Sequence, residues 1–374
     1  MVENLSHVMI LLIKHPGYAL ELPLRIAQSC HKILPFYSPR YPRLLLQAAR
    51  LFLAKGFKPQ EAMQLGLLEL DFPDSELCKF TSKVEMLRIQ TRINPKAWRS
   101  VAGDKSIFYM YCNALGIPVP KLYAIFFKGI AGYSTDGRVL QSRGAWEKYF
   151  NLDMPAEFVV KPVAGGYGAG VMAFVRTSHD EFTDVVSAKA YKAKDLYYRM
   201  VSYADDNAFV IQERLKNHSE LVRLSDTKYL QTLRILTFVD RDGQCRILHA
   251  FLKPIVGQNL TDNHDHGKSG NLLAEVSLGN GRLKPAVTMT PDVSGLRTVF
   301  SHPKTGVSFE GFPVPLWDEA CVLAKEAALK FMPLRTIGWD IALTPNGPSI
   351  VEGNWNSDPP SFHKTMEVIL DALC

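Results

Sequence analysis

No apolar run in the sequence approaches the roughly 20 residues that a membrane-spanning helix needs. The longest run near the start, residues 8–13, is short, and no signal-peptide cleavage pattern follows it. The six cysteines include no Cys-x-x-Cys pair, which argues against a disulfide framework and a cysteine zinc site. With 47% hydrophobic residues among 374, we expect a folded protein that is cytoplasmic, either free or peripheral at the inner membrane face.

Two common nucleotide-binding motifs are also absent. Gly267-Lys268-Ser269 lacks the earlier glycine of a Walker loop, and no glycine-rich turn has the spacing of a Rossmann fingerprint. No His-Arg-Asp or Asp-Phe-Gly triplet occurs, so the protein-kinase signature is excluded. A nucleotide site in this chain must therefore be of another type.

The net charge of +6 lies entirely in the first 100 residues, which hold 14 Lys+Arg against 8 Asp+Glu. This region is predicted to be helical, for example at residues 42–55, where apolar residues recur at helical spacing and Arg43 and Arg50 lie on another face. Such a helix can bind an anionic surface, either a membrane or an acidic partner. Alternatively, it caps the main domain and its basic face is solvated. The sequence leaves both interpretations open.

The stretch at 338–360, GWDIALTPNGPSIVEGNWNSDPP, predicts a β-hairpin with a loop of about five residues centred on Asn346. In that register Asp340 lies opposite Glu352, and Asn354 shares their face. Facing carboxylates repel unless a cation lies between them, and these oxygen ligands suit Mg²⁺. The alternative is a solvated hairpin whose acids never meet. The other face should pack on a core and consists of Trp339, Ile341, Leu343 and Val351.

A second hairpin is predicted at residues 157–175, where two apolar, β-rich runs flank a glycine-rich tip. Lys161 lies in the strand that enters this tip. Backbone N–H groups without side chains beside them can close over phosphates. The alternative is a flexible surface turn. The residues of the tip that are candidates for phosphate binding are Gly165, Gly166, Tyr167, Gly168 and Gly170.

Arg234 lies in the middle of an otherwise apolar strand, in a hairpin predicted over residues 229–256. Burying an unpaired charge is unfavourable, so Arg234 should face an anion. That anion is either a transferring phosphoryl group or the acid of a buried salt bridge. Lys253, on the partner strand, is a weaker candidate for the same task.

A short predicted strand at 208–212 is followed by a connector at 213–215. Its edge offers backbone groups to an adenine, and Glu220 is an acid that could bind ribose hydroxyls; a plain surface turn is the alternative. The polar loop at 260–271 contains His264 and His266. A zinc site there would need a third protein ligand that the local sequence lacks, so we expect a loop that borders the substrate site.

The remaining predicted elements are helices. Asp104 should cap one that begins at Lys105 and ends before Gly116, after a domain boundary at 94–103. Further helices are predicted around 181–203, over 317–331, and from near Ser361.

Together these motifs resemble the ATP-grasp superfamily and, within it, the sugar-transfer associated ATP-grasp subfamily. The resemblance runs from about Pro59 onward and rests on PQEAMQLGL, DKSIFYMYCNALGIPVPKLYAIF, the Lys161 hairpin, FVIQERL, TLRILTF, HPKTG with GFPVP, and the acidic hairpin. It implies an α+β ATP-grasp fold, in which two α+β subdomains grip ATP, preceded by an N-terminal helical region. The implied segments are a basic helical region (1–100), a small α/β unit (101–150), a lid subdomain with the glycine hairpin (151–225) and a catalytic subdomain with the Mg²⁺ site (226–374).

The resemblance also implies ATP and Mg²⁺ as ligands and assigns roles to residues. Arg234 and Lys161 would be the catalytic cations that stabilise the transferred phosphoryl group. The implied nucleotide contacts are Lys105, Lys161 and the 165–170 loop on the phosphates, and Gln212 and Glu213 at the adenine. The implied metal ligands are Asp340, Glu352 and Asn354.

The implied activity is a carboxylate-amine ligase that activates a carboxylate as an acyl phosphate, releases ADP and transfers the acyl group to an amine. The subfamily association suggests polysaccharide or glycan-precursor biosynthesis, with a small or glycan-linked carboxylate as substrate and no nucleic acid as partner. An alternative is an ATP-grasp kinase that phosphorylates a sugar or another hydroxyl compound. A degenerate scaffold is disfavoured because none of the expected lysines and metal ligands is missing.

Overall fold

The computed structural model describes residues 16–34, 38–68, 80–129, 131–164, 168–203, 208–264, 269–290 and 295–359. Within these ranges, helices precede two antiparallel sheets, so the predicted α+β class is confirmed. The helices are α1 (Pro16–Ile33), α2 (Tyr41–Lys55), α3 (Pro59–Gln64), α4 (Lys83–Ile93), α5 (Arg99–Gly103), α6 (Lys105–Ala114), α7 (Arg143–Leu152), α8 (Ala193–Ser202), α9 (Ser219–Ser225) and α10 (Trp317–Lys330). Residues 8–13 and the helix predicted from near Ser361 lie outside the described ranges.

The strands are β1 (Leu122–Phe127), β2 (Gly132–Ser134), β3 (Val139–Leu140), β4 (Glu157–Pro162), β5 (Met172–Arg176), β6 (Glu181–Asp184), β7 (Ala190–Lys192), β8 (Ala208–Glu213), β9 (Thr232–Val239), β10 (Cys245–Leu252), β11 (Leu273–Ser277), β12 (Arg282–Met289), β13 (Leu296–Val299), β14 (Thr336–Thr344) and β15 (Gly347–Asn354). Among the described helices, none combines the length and the apolar character that crossing a membrane requires.

Helices α1 to α3 share a small core of their own. The apolar face predicted for residues 42–55 is buried in it, because Leu44, Ala48, Leu51 and Phe52 are at most 4% exposed. Arg43 and Arg50 of α2 are exposed, whereas the half-buried Lys55 donates a hydrogen bond to the Phe80 carbonyl. The burial of the apolar face favours the interpretation as a cap, since a helix that inserted the same face into a membrane would have to leave its core.

The first sheet has the strand order β3-β2-β1-β8-β4-β5-β6-β7 and packs against α7 and α8. It contains the predicted glycine hairpin as β4 and β5, which pair from Glu157 with Val175 to Val160 with Met172. The glycine-rich connection between these two strands therefore lies at one end of the sheet.

The prediction of one helix across residues 181–203 is wrong in its first half, where β6 and β7 precede α8. Phe182 is buried between the half-exposed Glu181 and Thr183, and this two-residue period favours a strand. Asp184 then accepts hydrogen bonds from the backbone N–H groups of Val186 and Ser187, which closes a turn before β7.

The second sheet has the strand order β13-β12-β11-β10-β9-β14-β15. One face packs on α10 and buries Trp339, Ile341 and Leu343, as predicted. At one end of the opposite face lie Arg234 and Asp340, which are direct cross-strand neighbours on β9 and β14. The polar residues are thus held on a sheet whose reverse side is a closed core.

The other end of that polar face is covered by α4. Met86, Ile89 and Ile93 of α4 pack against Leu236 and Phe238 of β9. Although α4 falls within the predicted N-terminal region of residues 1–100, it packs on the second sheet and joins a different core from α1 to α3.

The β14–β15 hairpin reaches the predicted register by a different route. Thr344 pairs with Gly347, so the loop has two residues instead of about five. A bulge at Val351 adds one residue to β15, and beyond it Asp340 lies opposite Glu352. The bulge also brings Val351 to the wall of a cavity, whereas the sequence pattern predicted it in the core.

Candidate active site

A cavity of about 560 Å³ lies between the two sheets. Strands β4 and β5 line one wall, and β9, β14 and β15 line the other. Among the described residues, six basic side chains line the cavity against four acidic ones, an excess that favours anionic ligands. The basic residues are Lys105, Lys161, Arg214, Lys228, Arg234 and Lys253, and the acidic ones are Asp262, Asp340, Glu352 and Asp358.

Asp340 is at the centre of the charge network. The Arg234 guanidinium binds its carboxylate through two hydrogen bonds, Nε to Oδ1 at 2.6 Å and Nη2 to Oδ2 at 2.8 Å. Lys253 Nζ lies 3.0 Å from the same Oδ1. Burial alone would raise the pKa of Asp340, but Arg234 and Lys253 outweigh it and hold that pKa well below its usual range. The anion predicted for Arg234 is thus a buried acid, and its role towards phosphate stays a prediction.

Asp262 is a second buried acid in the cavity that the sequence analysis did not single out. Its Oδ1 lies 3.2 Å from Lys253 Nζ, and its Oδ2 accepts hydrogen bonds from the Thr232 backbone N–H and Oγ1, both at 2.6 Å. Burial raises the pKa of Asp262, while Lys253 counteracts the rise. The polar loop at 260–271 was expected to border the site, but its sequence gave no reason to choose this acid.

Glu352 and Lys105 form an ion pair of 3.2 Å on the β15 side of the cavity. The predicted cap positions Lys105, because Asp104 Oδ1 accepts hydrogen bonds from the Ser106 and Ile107 N–H groups at the start of α6. The Glu352 side chain is 32% exposed, compared with 8% for Asp340. Asp340 and Glu352, which face each other across the hairpin, therefore each contact basic side chains. Asp340 is the more deeply buried of the two.

Lys161 projects from β4 into the cavity wall. Burial lowers its pKa from 10.5 to about 8, with the charge of Lys105 acting in the same direction and that of Glu352 against it. No acid lies within ion-pair distance of Lys161 among the residues with described positions. Its charge is therefore available to an anionic ligand.

The glycine-rich connection after Lys161 is described only in part, because Gly165, Gly166 and Tyr167 lie outside the described residues. Gly168 and Gly170 have positive φ angles of 74° and 73°. A Cβ at Gly168 would lie 2.6 Å from Thr261 Oγ1, so the backbone of this loop contacts the loop after β10 closely. At both positions the positive φ angle and the short distance to neighbouring atoms favour glycine over any residue with a Cβ.

The structure does not bring Gln212, Glu213 and Glu220 to the cavity. Gln212 is buried at 2% exposure, Glu213 accepts a hydrogen bond from the Lys121 backbone N–H, and Glu220 is drawn to Arg223, 2.7 Å away. The connector residues that line the cavity are Arg214 and Leu215 instead.

The cavity also has an apolar part of its lining. The apolar side chains that line it include Val159, Ala173, Leu215, Leu260 and Val351. Arg214 is fixed beside them by an ion pair of 2.6 Å with Glu157. Of the two loop histidines, His266 lies outside the described residues and His264 is not among the residues that line the cavity.

The segment after the acidic hairpin is held by α4 and the residue that follows it. Ser357 Oγ accepts a hydrogen bond of 3.2 Å from Arg234 Nη1, and its carbonyl accepts one from Gln90 Nε2. The buried Asn94 donates to the carbonyls of Thr336 and Trp355 and accepts from the Thr336 N–H. These contacts fix the residues that follow β15 beside Arg234, and no sequence pattern predicted them.

The chemistry of the donor set is compatible with Mg²⁺. Among the described residues, no group of three or more His, Cys, Asp or Glu side chains could hold a metal ion alone. Asp340 and Glu352 supply two carboxylates, and Asn354, whose Nδ2 donates to the Gly338 carbonyl at 3.3 Å, supplies an amide oxygen. Mg²⁺ commonly takes one or two carboxylates and completes its shell with water and substrate phosphates. These residues fit a metal that arrives with a nucleotide.

Comparison with known proteins gives a family match over most of the chain. The model of the sugar-transfer associated ATP-grasp family matches residues 86–363, which begins later than the resemblance seen from about Pro59. A search of curated proteins finds no match.

Solved structures with similarity are enzymes of low sequence identity. They include N5-carboxyaminoimidazole ribonucleotide synthetase with ADP (12% identity, TM-score 0.37), D-alanine-D-alanine ligase from Coxiella burnetii (12%, 0.34) and biotin carboxylase from Campylobacter jejuni (12%, 0.44). The alignments cover 70%, 73% and 75% of this chain. They cover 46%, 53% and 47% of those chains, so this chain spans about half their length.

Proposed function

The chain belongs to the sugar-transfer associated ATP-grasp family, and from this membership we propose that it is an ATP- and Mg²⁺-dependent ligase. It activates a carboxylate as an acyl phosphate and transfers the acyl group to an amine, with release of ADP. One observation carries the proposal: Lys105, Arg234 and Lys253 converge on Asp340 and Glu352 inside a cavity bordered by the glycine loop. Clustered charges of both signs suit a polyphosphate together with its metal.

The pairing of the acids bears on the phosphoryl-transfer step, and in that step it favours a carboxylate acceptor over a hydroxyl. A kinase needs a base to accept the proton of the substrate hydroxyl, as the catalytic-loop acid does in protein kinases. Asp262, Asp340, Glu352 and Asp358, the described acids that line the cavity, are all held in ion pairs. A carboxylate substrate is already ionised at neutral pH and needs no such base.

The reaction has two steps. A carboxylate oxygen attacks the γ phosphorus of ATP, and the bond to the β–γ bridging oxygen breaks with its electron pair leaving on ADP. The amine nitrogen then attacks the acyl carbon, the carbon–oxygen bond to phosphate breaks, and the amine proton passes to solvent. No covalent bond to the protein forms in either step.

The side chains of the cavity bind and orient the reactants. Lys105 and Lys161 hold the phosphates, and Arg234 offsets the charge of the transferring group. Asp340, Glu352 and Asn354 would hold Mg²⁺, which supplies charge neutralisation on the phosphate oxygens. As the family membership implies, the glycine loop at 165–170 would cover the γ phosphate.

The family association with sugar transfer supports a substrate on or near a glycan. We place the carboxylate on a sugar acid or another glycan-linked acid, and the product is then an amide of a cell-surface polysaccharide or of its precursor. This assignment is part of the proposal and rests on the family description alone.

The test is ADP release from Mg·ATP with pooled carboxylic acids, sugar acids and amino acids, with and without hydroxylamine. Trapping of a hydroxamate would establish carboxylate activation and identify the acid. ADP release with a stable phosphoester and no hydroxamate would replace the ligase with a kinase.

A further inference from the structure

Lys253 is shared between two buried acids. Its Nζ lies 3.0 Å from Asp340 Oδ1 and 3.2 Å from Asp262 Oδ1, and its side chain is 6% exposed. It follows β10, where its backbone N–H donates to the Thr232 carbonyl. A lysine that is buried this deeply needs an acid that stays in place in every state of the site.

Asp340 is not such an acid if it also binds Mg²⁺. Its two oxygens already accept two hydrogen bonds from Arg234 and one contact from Lys253. A metal ion that takes a lone pair of this carboxylate competes with both cations for it. Arg234 has a second contact in Ser357 Oγ, but this hydroxyl carries no charge.

Asp262 has no such competitor among its described contacts. Thr232 holds its Oδ2 with two hydrogen bonds of 2.6 Å, so its Oδ1 points at Lys253. We propose that Asp262 is a positioning residue, which keeps Lys253 at the reacting end of the cavity as a second cation for the transferring phosphoryl group. This inference rests on the proposed function, because it assigns Lys253 to the same phosphoryl transfer.

The described part of the loop that carries Asp262 is held by the side-chain hydrogen bonds of one residue. The buried Asn271 donates from Nδ2 to the carbonyls of Thr261 and Asn263, one residue on either side of Asp262. Its Oδ1 accepts from the Val256 N–H and from Asn259 Nδ2. Asn271 therefore holds the backbone around Asp262, and Thr232 holds its carboxylate.

The test uses Asp262→Asn in the full-length protein, with Mg·ATP and the pooled carboxylic acids, sugar acids and amino acids as substrates. We expect kcat to fall about 100-fold, the effect of a misplaced reacting group, while the Kd for Mg·ATP changes less than about twofold. Lys253→Met should lower kcat by as much. The double variant should have the same kcat as Lys253→Met alone, because the effects of residues that act as one unit are not additive. Lys253→Arg, which keeps the charge, should recover part of the rate.

Asp318→Asn is the matched control, since it removes an exposed acid at the start of α10, outside the cavity. Wild-type kcat in Asp262→Asn, multiplicative losses in the double variant, or a loss confined to nucleotide binding would each overturn the inference. If Asp262→Asn does not fold, Thr232→Val removes one hydrogen bond to the acid, and an unchanged kcat would overturn the inference as well. Absence of ADP release from the wild type would instead refute the proposed function, and the inference with it.

Discussion

Arg234 and Asp340 lie directly opposite each other on β9 and β14, and their side chains meet in a two-point ion pair. The pair joins two residues that lie 106 positions apart in the sequence. Asp340 is also the register partner of Glu352 on β15. It therefore connects the cations that are predicted to bind phosphate with the predicted metal ligands.

The unequal burial of the two predicted metal ligands leads to a first prediction. Asp340→Asn leaves the buried Arg234 without its charge partner and removes one of the two acids beside Lys253, which should lower the free energy of unfolding by roughly 3 kcal/mol. Glu352→Gln should lower it by less than about 1 kcal/mol, since Glu352 is partly solvated. Urea unfolding measures both values, and equal losses would contradict this account. Both variants should lose Mg²⁺-dependent ADP release.

The lowered pKa of Lys161, about 8, predicts pH-dependent nucleotide binding. The charged form exists below that pH, so affinity for ATP should fall as the pH rises through 8. Bound phosphate should restore the proton, and calorimetry in buffers of different ionisation enthalpy should detect an uptake of about half a proton at pH 8. Lys161→Arg stays charged and should show a flat profile. A wild-type affinity that does not change from pH 7 to 9 would argue against the phosphate role.

The same shift affects stability with the opposite sign. Between pH 8 and the usual lysine value of 10.5, the unfolded chain holds the Lys161 proton and the folded chain does not. The unfolding free energy contributed by this group should therefore rise with pH across that window. Urea unfolding of the wild type and of Lys161→Met at pH 7.5 and 10 isolates this contribution. The difference between their unfolding free energies should be smaller at pH 10, and an unchanged difference would contradict the prediction.

Gly168→Ala should impair the glycine loop through both conformation and space. A residue with a Cβ at φ +74° costs about 1–2 kcal/mol, and this Cβ would also overlap Thr261. We expect a weaker affinity for ATP, measured by calorimetry, and partial recovery in the double variant with Thr261→Ala. Gly137→Ala is the control, because its φ is +90° but nothing lies within 4 Å of the new Cβ. An equal loss of affinity in Gly137→Ala would show that the contact with Thr261 is irrelevant.

Asn94→Ala should damage the site from outside the cavity. It leaves the Thr336 N–H without its side-chain acceptor and frees the Trp355 carbonyl, at about 1–3 kcal/mol for an unsatisfied buried group. We expect a lower melting temperature and a lower kcat, because the segment that holds Ser357 against Arg234 loses an anchor. The exposed Asn113 provides the control substitution. Unchanged kcat together with a lower melting temperature would limit Asn94 to a structural role.

The sequence predicted the local parts of the fold well. Hairpins, the Asp104 cap and the buried face of α2 depend on residues close together in the chain, where periodicity and turn chemistry are informative. The error at β6 and β7 has a local cause too, since the region contains few turn signals of the kind that separate short strands. The acidic hairpin was placed in the right register although its loop was misjudged, because the bulge at Val351 compensates for the shorter turn.

The contacts in the site between residues far apart in the chain could not be predicted from local sequence patterns. An apolar strand around Arg234 indicates that some anion must face it, but only the neighbouring strand in the folded sheet determines that this anion is Asp340. Asp262 and Asn94 lie in segments whose sequence is ordinary for a loop and for a helix end. Their importance arises from partners 30 and 242 residues away, which no local pattern encodes.

The contacts of Asn94 have a consequence for how the chain is made. Its partner Thr336 leaves the ribosome 242 residues later, at the start of β14, the strand that pairs with β9. Until that strand has been synthesised, β9 presents an open edge with unpaired backbone groups and several apolar residues. A nascent chain that pauses before residue 336 therefore exposes this strand edge to aggregation or to binding by chaperones.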